Sequence, residues 1–176
     1  MIFWIDSGSS PKIMSASLSG ENPKVLVNTQ LGMPTSLAID FFKDNRLYWC
    51  DEKNNFIESI NYDGSDRVRI HHNGFNKPYR IDIFENYIYL LSQENGAINK
   101  VDKYGRGGLF NVVKDLDLSE DIKIFHPSKV PKNIKNPCEN STCSHLCLLK
   151  PNNDYKCACP DGTNFLNDDL YTCDSG

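Results

Sequence analysis

The residues with the most obvious chemistry are cysteines. Six of the seven lie in the last 39 residues, spaced Cys138-x4-Cys143-x3-Cys147-x9-Cys157-x-Cys159-x13-Cys173. An even set this dense, in a segment too small for a core of its own, reads as a disulfide framework. It implies an oxidising compartment and a chain of two parts. Zinc is the competing chemistry, but paired Cys-x2-Cys knuckles are missing. The seventh, Cys50, stands 88 residues before the next and is expected to be unpaired and buried, a small apolar filler. The four histidines are His71, His72, His126 and His145; none falls in a His-Glu-x-x-His or comparable metal spacing. Gly-x-Ser-x-Gly and helix-opening phosphate loops are absent too, and Gly105-Arg-Gly-Gly108 reads as a turn between strands. Calcium lacks its Asp-x-Asp-x-Asp-Gly loop, and Lys135-Asn-Pro137 lacks the acidic pair of a calcium-binding module. The expectation is a non-enzyme with no cofactor and no metal. The alternative, an enzyme such as a calcium-dependent lactonase, needs carboxylates and asparagines converging on one channel.

What positions these residues is an internal repeat. Ile2-Phe-Trp-Ile-Asp6 recurs as Leu47-Tyr-Trp-Cys-Asp51 and, more faintly, as Ile88-Tyr-Leu-Leu-Ser92, offsets of 45 and 41 residues. Each is followed by a second landmark ending in Gly20, Gly64 or Gly105. Pro34-Thr-Ser-Leu-Ala-Ile39 and Pro78-Tyr-Arg-Ile-Asp-Ile83 precede two copies. Landmarks in one order at one period define a repeat architecture. The middle unit predicts strands at Leu37–Ile39, Leu47–Asp51, Phe56–Asn61 and Arg67–Ile70, separated by Asp, Asn and Gly turns, one of them Lys43-Asp-Asn45. Four strands per ~40 residues is the signature of a propeller blade. Tyr48 and Trp49 are adjacent, so a strand sends them to opposite faces. A blade covered on both faces buries both rings, whereas a two-layer sandwich, the rival fold, usually leaves one wet.

Three units do not close a ring, since propellers have at least ~4 blades. The first unit starts in its second strand, and Asp121–His126 is expected to be a closing strand that completes a blade of a larger ring. Residues 127–137 hold three prolines and three lysines, a stiff solvated connector. The expected organisation is therefore a partial propeller over 1–126, a linker over 127–137 and a disulfide module over 138–173.

These parts in this order resemble the low-density lipoprotein receptor family. Phe3-Trp4-Ile5-Asp6 and Tyr48-Trp49-Cys50-Asp51 are similar to its Tyr-Trp-Thr-Asp (YWTD) repeat, and the cysteine spacing is similar to its EGF-like module. The resemblance implies an all-β chain: an incomplete six-bladed YWTD β-propeller of about three blades plus a closing strand, then a small disulfide-rich EGF-like module. It implies the pairs Cys138–Cys147, Cys143–Cys157 and Cys159–Cys173. It implies that Asp6 and Asp51 tie neighbouring blades, with Ser92 a weaker substitute in the third unit.

By the same resemblance, the function is structural and protein-binding within a large endocytic receptor, assisting ligand release in acidic endosomes. The alternative is a propeller–EGF segment of a signalling co-receptor or basement-membrane protein. The expected partners are protein ligands or neighbouring receptor modules. Nucleic acid is not expected, because a net charge of −4 with scattered Lys and Arg offers phosphate no clustered positive surface. Apolar runs such as Tyr87–Leu91 are far short of the ~20 residues a spanning helix needs. The start, MIFWIDSG, lacks a signal peptide's apolar region. Together these predict a fragment of a cell-surface receptor, lying outside the cell or in the endosomal lumen. His71, His72 and His126 are the candidate pH sensors, because histidine changes charge in the endosomal range. Asn140-Ser-Thr142 is the one acceptor triplet for an N-linked glycan.

Overall fold

The computed structural model describes residues 1–41, 44–70, 73–94, 96–117, 119–129, 135–166 and 169–174. His71, His72, Lys43 and linker positions 130–134 lie outside the described residues. The chain divides into two compact units, one of Met1–Phe3, Ser15–Lys24 and Pro131–Gly176, the other of Trp4–Met14 and Val25–Val130.

Secondary structure follows the repeat. Strands β1 (Ile2–Asp6), β2 (Lys12–Ala16) and β3 (Lys24–Val27) form a sheet in the order β1-β2-β3. Strands β4 (Pro34–Asp40), β5 (Arg46–Asp51), β6 (Phe56–Asn61) and β7 (Val68–Ile70) form a second meander. Strands β8 (Pro78–Phe84), β9 (Tyr87–Ser92), β10 (Ala97–Asp102) and β11 (Phe110–Val113) form a third. Each four-stranded sheet runs in sequence order with antiparallel neighbours. Among the described residues there is no α-helix.

The two complete blades repeat in detail. Leu37 opposes Trp49 and Ala38 opposes Tyr48 in one; Ile81 opposes Leu90 and Asp82 opposes Tyr89 in the other. Both ladders slip at the same place, beside Pro34 and beside Pro78. Proline has no N–H to give a ladder, so it sits at the start of the strand and the register adjusts there. The hairpins β5–β6 and β9–β10 both end on a left-handed residue, Asn55 at φ 56° and Gly96 at φ 54°. Gly96 has a second reason to be glycine. A Cβ there would stand 2.3 Å from the Leu116 carbonyl oxygen.

The core lies between the second and third sheets. Strand β4 packs against β8, and one apolar cluster joins Tyr48, Cys50, Ile57, Ile81, Ile88 and Leu90. Tyr48 and Trp49 are 1% and 0% exposed, so both faces of β5 are covered. Such rings are the largest single contributions to burial, roughly 1.5–3 kcal/mol for a fully buried apolar side chain.

The structure departs from expectation at Asp121–His126, which has no ladder and is not a strand. A strand exists only through hydrogen bonds to a neighbour, and this segment pairs with none of the sheets described. It is held by side chains instead. Asp82 accepts from the Ile124 N–H at 2.7 Å, and Lys129 donates to both Asp82 oxygens at 2.6 Å.

In the smaller unit, β12 (Leu146–Lys150) and β13 (Asp154–Ala158) make an antiparallel hairpin. Asn152 and Asn153 sit in its turn at positive φ. Cys147 faces Cys157 across the ladder. Disulfides join Cys138 to Cys147, Cys143 to Cys157 and Cys159 to Cys173. Of the described residues from 138 onward, only Cys157 and Cys173 are buried, so the crosslinks stand where a core would be.

Candidate functional site

Part of the polar machinery of the larger unit lies where one blade meets the next. Asp51 ends β5, the position the repeat reserves for aspartate. It is fully buried and accepts from the N–H groups of Gly32 at 2.6 Å, Met33 at 3.0 Å and Asn54 at 2.9 Å. Gly32 and Met33 belong to the connector entering β4, so Asp51 holds the chain that passes from one blade to the next. Burial of a carboxylate is tolerable only with such donors. Asp6, the first-repeat counterpart, is exposed and accepts from the Gly8 N–H at 3.4 Å. Ser92 is buried at the third-repeat position. The connector entering β8 is gripped from the preceding blade: Asn55 donates to the Phe75 carbonyl at 2.8 Å and accepts from the Lys77 N–H at 2.9 Å.

A second set of ties was invisible to motif reading. Lys103, 1% exposed, closes β10 and reaches Asp40 at the end of β4 and Asp44 at 3.0 Å. Burial disfavours its charge, but the hydrogen bonds and fields of the two carboxylates outweigh burial, and the ammonium is held above its ordinary range. Tyr104 adds a hydroxyl bond to Asp44 at 2.8 Å. Arg80 reaches back from β8 to the Thr35 carbonyl at 2.9 Å, and the Ile81 N–H bonds Ser36 Oγ at 3.1 Å. In the middle blade, Glu58 is buried between two guanidiniums, with Arg67 at 2.5 Å and Arg69 at 2.9 Å.

Lys103, Tyr104 and Asp44 also line a cleft with Arg46, Asp66 and Arg69, both signs of charge mixed along it. Mixed signs suit a protein surface better than a polyanion. Among the described residues no group of three or more His, Cys, Asp or Glu is gathered as a metal site.

Cys50 is free and buried, and its thiol contacts the Thr35 hydroxyl at 3.4 Å. Burial pushes the thiol up to about 12, which leaves it unreactive near neutral pH. His126 is exposed. Its ring lies 4.9 Å from Phe84, and its Nδ1 shares a 2.7 Å bond with Ser128 Oγ. Its backbone carbonyl accepts from the Lys129 N–H at 2.9 Å. Asn140 is exposed at the end of a 3-10 turn, Pro137–Asn140.

Residues 1–41 match the family model of the low-density lipoprotein receptor repeat class B. Over 172 residues, 98% of its length, the chain is 33% identical to the vitellogenin receptor of Solenopsis invicta. Over 170 residues, 96% of its length, it is 32% identical to vitellogenin receptor Yl of Drosophila melanogaster. The chain belongs to the low-density lipoprotein receptor family. It spans only about a tenth of the curated relatives it matches, 10% of one and 8% of the other. A chain in the crystal structure of a nidogen/laminin complex aligns with a TM-score of 0.52 at 24% identity, covering 57% of this chain and 38% of that one. That likeness speaks for the fold: all-β blades of the propeller type, followed by a disulfide-rich C-terminus. Asp51 ties the connector at Gly32 and Met33 to the end of β5, whereas Lys103, Glu58 and Asp82 make further ties that the four-residue motif does not announce.

Proposed function

We propose that the chain is a non-enzymatic extracellular segment of an endocytic receptor of the vitellogenin-receptor kind. In this reading residues 1–126 belong to a YWTD propeller, 127–137 link it onward and 138–173 form an EGF-like module. The observation that carries the proposal is the 33% identity to a vitellogenin receptor, which runs through the blades and the cysteine module alike. The partner class is then a large protein ligand, vitellogenin first, or a neighbouring module of the same receptor. The segment's work is to present a rigid surface: carboxylates and ammonium groups spent on blade junctions leave the blades little freedom to shear. Acid-dependent release belongs to the same proposal, with His126, exposed beside Phe84 and Ser128, as the candidate among the described histidines. The neighbours of His126 are Phe84, Ser128 and the Lys129 backbone.

The test uses the complete receptor, obtained by extending the reading frame on both sides, displayed on cultured cells. Labelled vitellogenin is expected to bind at neutral pH, enter the cells and dissociate at about pH 5–6. His126→Gln is expected to slow the dissociation and spare uptake. Surface-displayed receptor that takes up no vitellogenin contradicts the proposal. The second reading, a matrix-contact propeller, is favoured by the nidogen/laminin structural neighbour. It predicts binding to matrix protein without internalisation.

A further inference from the structure

We propose that Asn140 is an N-glycosylation site, and that the sugar is attached before the Cys138–Cys147 disulfide closes. The inference rests on the extracellular reading above, because the reaction takes place in the secretory lumen. Asn140-Ser141-Thr142 has the acceptor pattern, with no proline in the middle. The structure adds what the pattern cannot. Asn140 and Thr142 are both exposed, and Ser141 between them is extended at φ −73°, ψ 153°. Among the described residues neither the Asn140 amide nor the Thr142 hydroxyl has a hydrogen-bond partner.

Their neighbours differ. Asn136 Oδ1 accepts from the Cys138 N–H at 3.0 Å, and Ser144 Oγ accepts from the Cys173 N–H at 2.8 Å. Asn136 and Ser144 are used in building this loop, whereas the two side chains that the modification needs are spare. A sugar on Asn140 would displace no contact.

The transfer balances without any oxidant. Asn140 Nδ2 forms a C–N bond to the anomeric carbon of a lipid-diphosphate-linked oligosaccharide. The bond from that carbon to the diphosphate oxygen breaks, the lipid diphosphate leaves with the electron pair, and the amide gives up one proton. Timing follows from the fold. Once closed, the loop is held by Cys138–Cys147 on one side and Cys143–Cys157 on the other. Asn140 is then fixed in a turn in which the Ser141 N–H bonds the Cys138 carbonyl at 3.2 Å. An enzyme that must bring the amide and the Thr142 hydroxyl together is opposed by that turn, so crosslinking and transfer compete.

The test is translation of the full chain behind a secretory leader in the presence of microsomes. It needs neither the receptor's ligand nor any other receptor module, so its failure is separable from failure of the receptor reading. Protease-protected chain is expected to carry one added mass that a glycan-specific amidase removes, leaving aspartate at 140. Asn140→Gln and Thr142→Ala are expected to abolish it and Thr142→Ser to keep it. A mild reductant during translation is expected to raise the modified fraction. Protected wild-type chain with no added mass, with and without reductant, overturns the site. A modified fraction that reductant leaves unchanged or lowers overturns the timing.

Discussion

The two ends of this chain hold themselves together by different means. From β4 to β11 the side chains do the work: Trp49, Tyr48, Ile57 and Leu90 are buried, and Asp51, Lys103 and Glu58 are buried with their partners. From Cys138 onward almost nothing is buried, and three crosslinks substitute for a core. Covalent crosslinks make a short segment indifferent to its neighbours. A blade is the opposite case, because each of its faces is finished by the blade beside it. The contrast predicts a self-sufficient module and a cooperative set of blades.

The largest expected effect is at the junction of the two complete blades. Lys103→Met removes the ammonium that bonds both Asp40 and Asp44. Breaking a buried pair in this way costs about 3–5 kcal/mol. The loss should appear in chemical unfolding of a receptor fragment that carries the whole ring, and the module's disulfides should be untouched. A loss under ~1 kcal/mol, the size of a surface pair, would mean that Lys103 is solvated in solution.

Next comes the mirror experiment. Cys143→Ser with Cys157→Ser should destabilise the module by about 2–4 kcal/mol and leave unfolding of the blades where it was. A matching shift in the blades would show that the two units are one cooperative system.

The pH responses should also separate them. Burial pushes Cys50, Tyr48 and Tyr62 each up to about 12. For such groups the native state keeps a proton that the unfolded chain releases. Their contribution is whole below the unfolded values, about 8.5 for a thiol and 10 for a phenol, and is lost as pH rises towards 12. Blade stability should therefore fall on the alkaline side, with Cys50 resisting alkylation until the blades unfold. In the module Asp169 goes the other way. Bonds from the Thr172 backbone, the Thr172 hydroxyl and the Tyr171 backbone lower its carboxyl. Its contribution is present above the ordinary aspartate value and lost as pH falls through the lowered one. Denaturant titrations at stepped pH should show this opposition, and a common alkaline loss in both units would remove the contrast. The smallest effect is expected from Glu21→Gln. The Glu21–Lys156 pair is solvated on both sides, at 38% and 44% exposure, and the unfolding midpoint should not move.

Legibility in the sequence follows the same division. The blades could be found because strand, turn and glycine landmarks recur at one period, and because adjacent Tyr48 and Trp49 demand two covered faces. The cysteine framework was legible as chemistry from its spacing. The ties between blades were not. A lysine at 103 reads as a solvated residue, and its partner Asp40 is 63 positions away with no local pattern to connect them. Asp82 and Lys129, 47 apart, are hidden in the same way. The segment Asp121–His126 misled because alternation of apolar residues announces a strand whether or not an edge exists to receive it. Asp51 was legible as a position in a repeat, but its three backbone donors emerge only when the connector at Gly32 and Met33 folds back over it.

If the blades are cooperative and the module self-sufficient, residues 1–126 alone have unfinished surfaces. Phe110, Val112 and Val113 of β11 are already exposed, and exposed sheet surface of this kind invites association. The direct measurement is sedimentation together with thermal unfolding of residues 1–126, compared with the same residues inside a complete ring. The account predicts that the isolated segment associates or melts broadly, and that restoring the ring gives a monomer with one sharp transition. An isolated 1–126 segment that sediments as a monomer and unfolds sharply would contradict it, because the arc of blades would then need no neighbours.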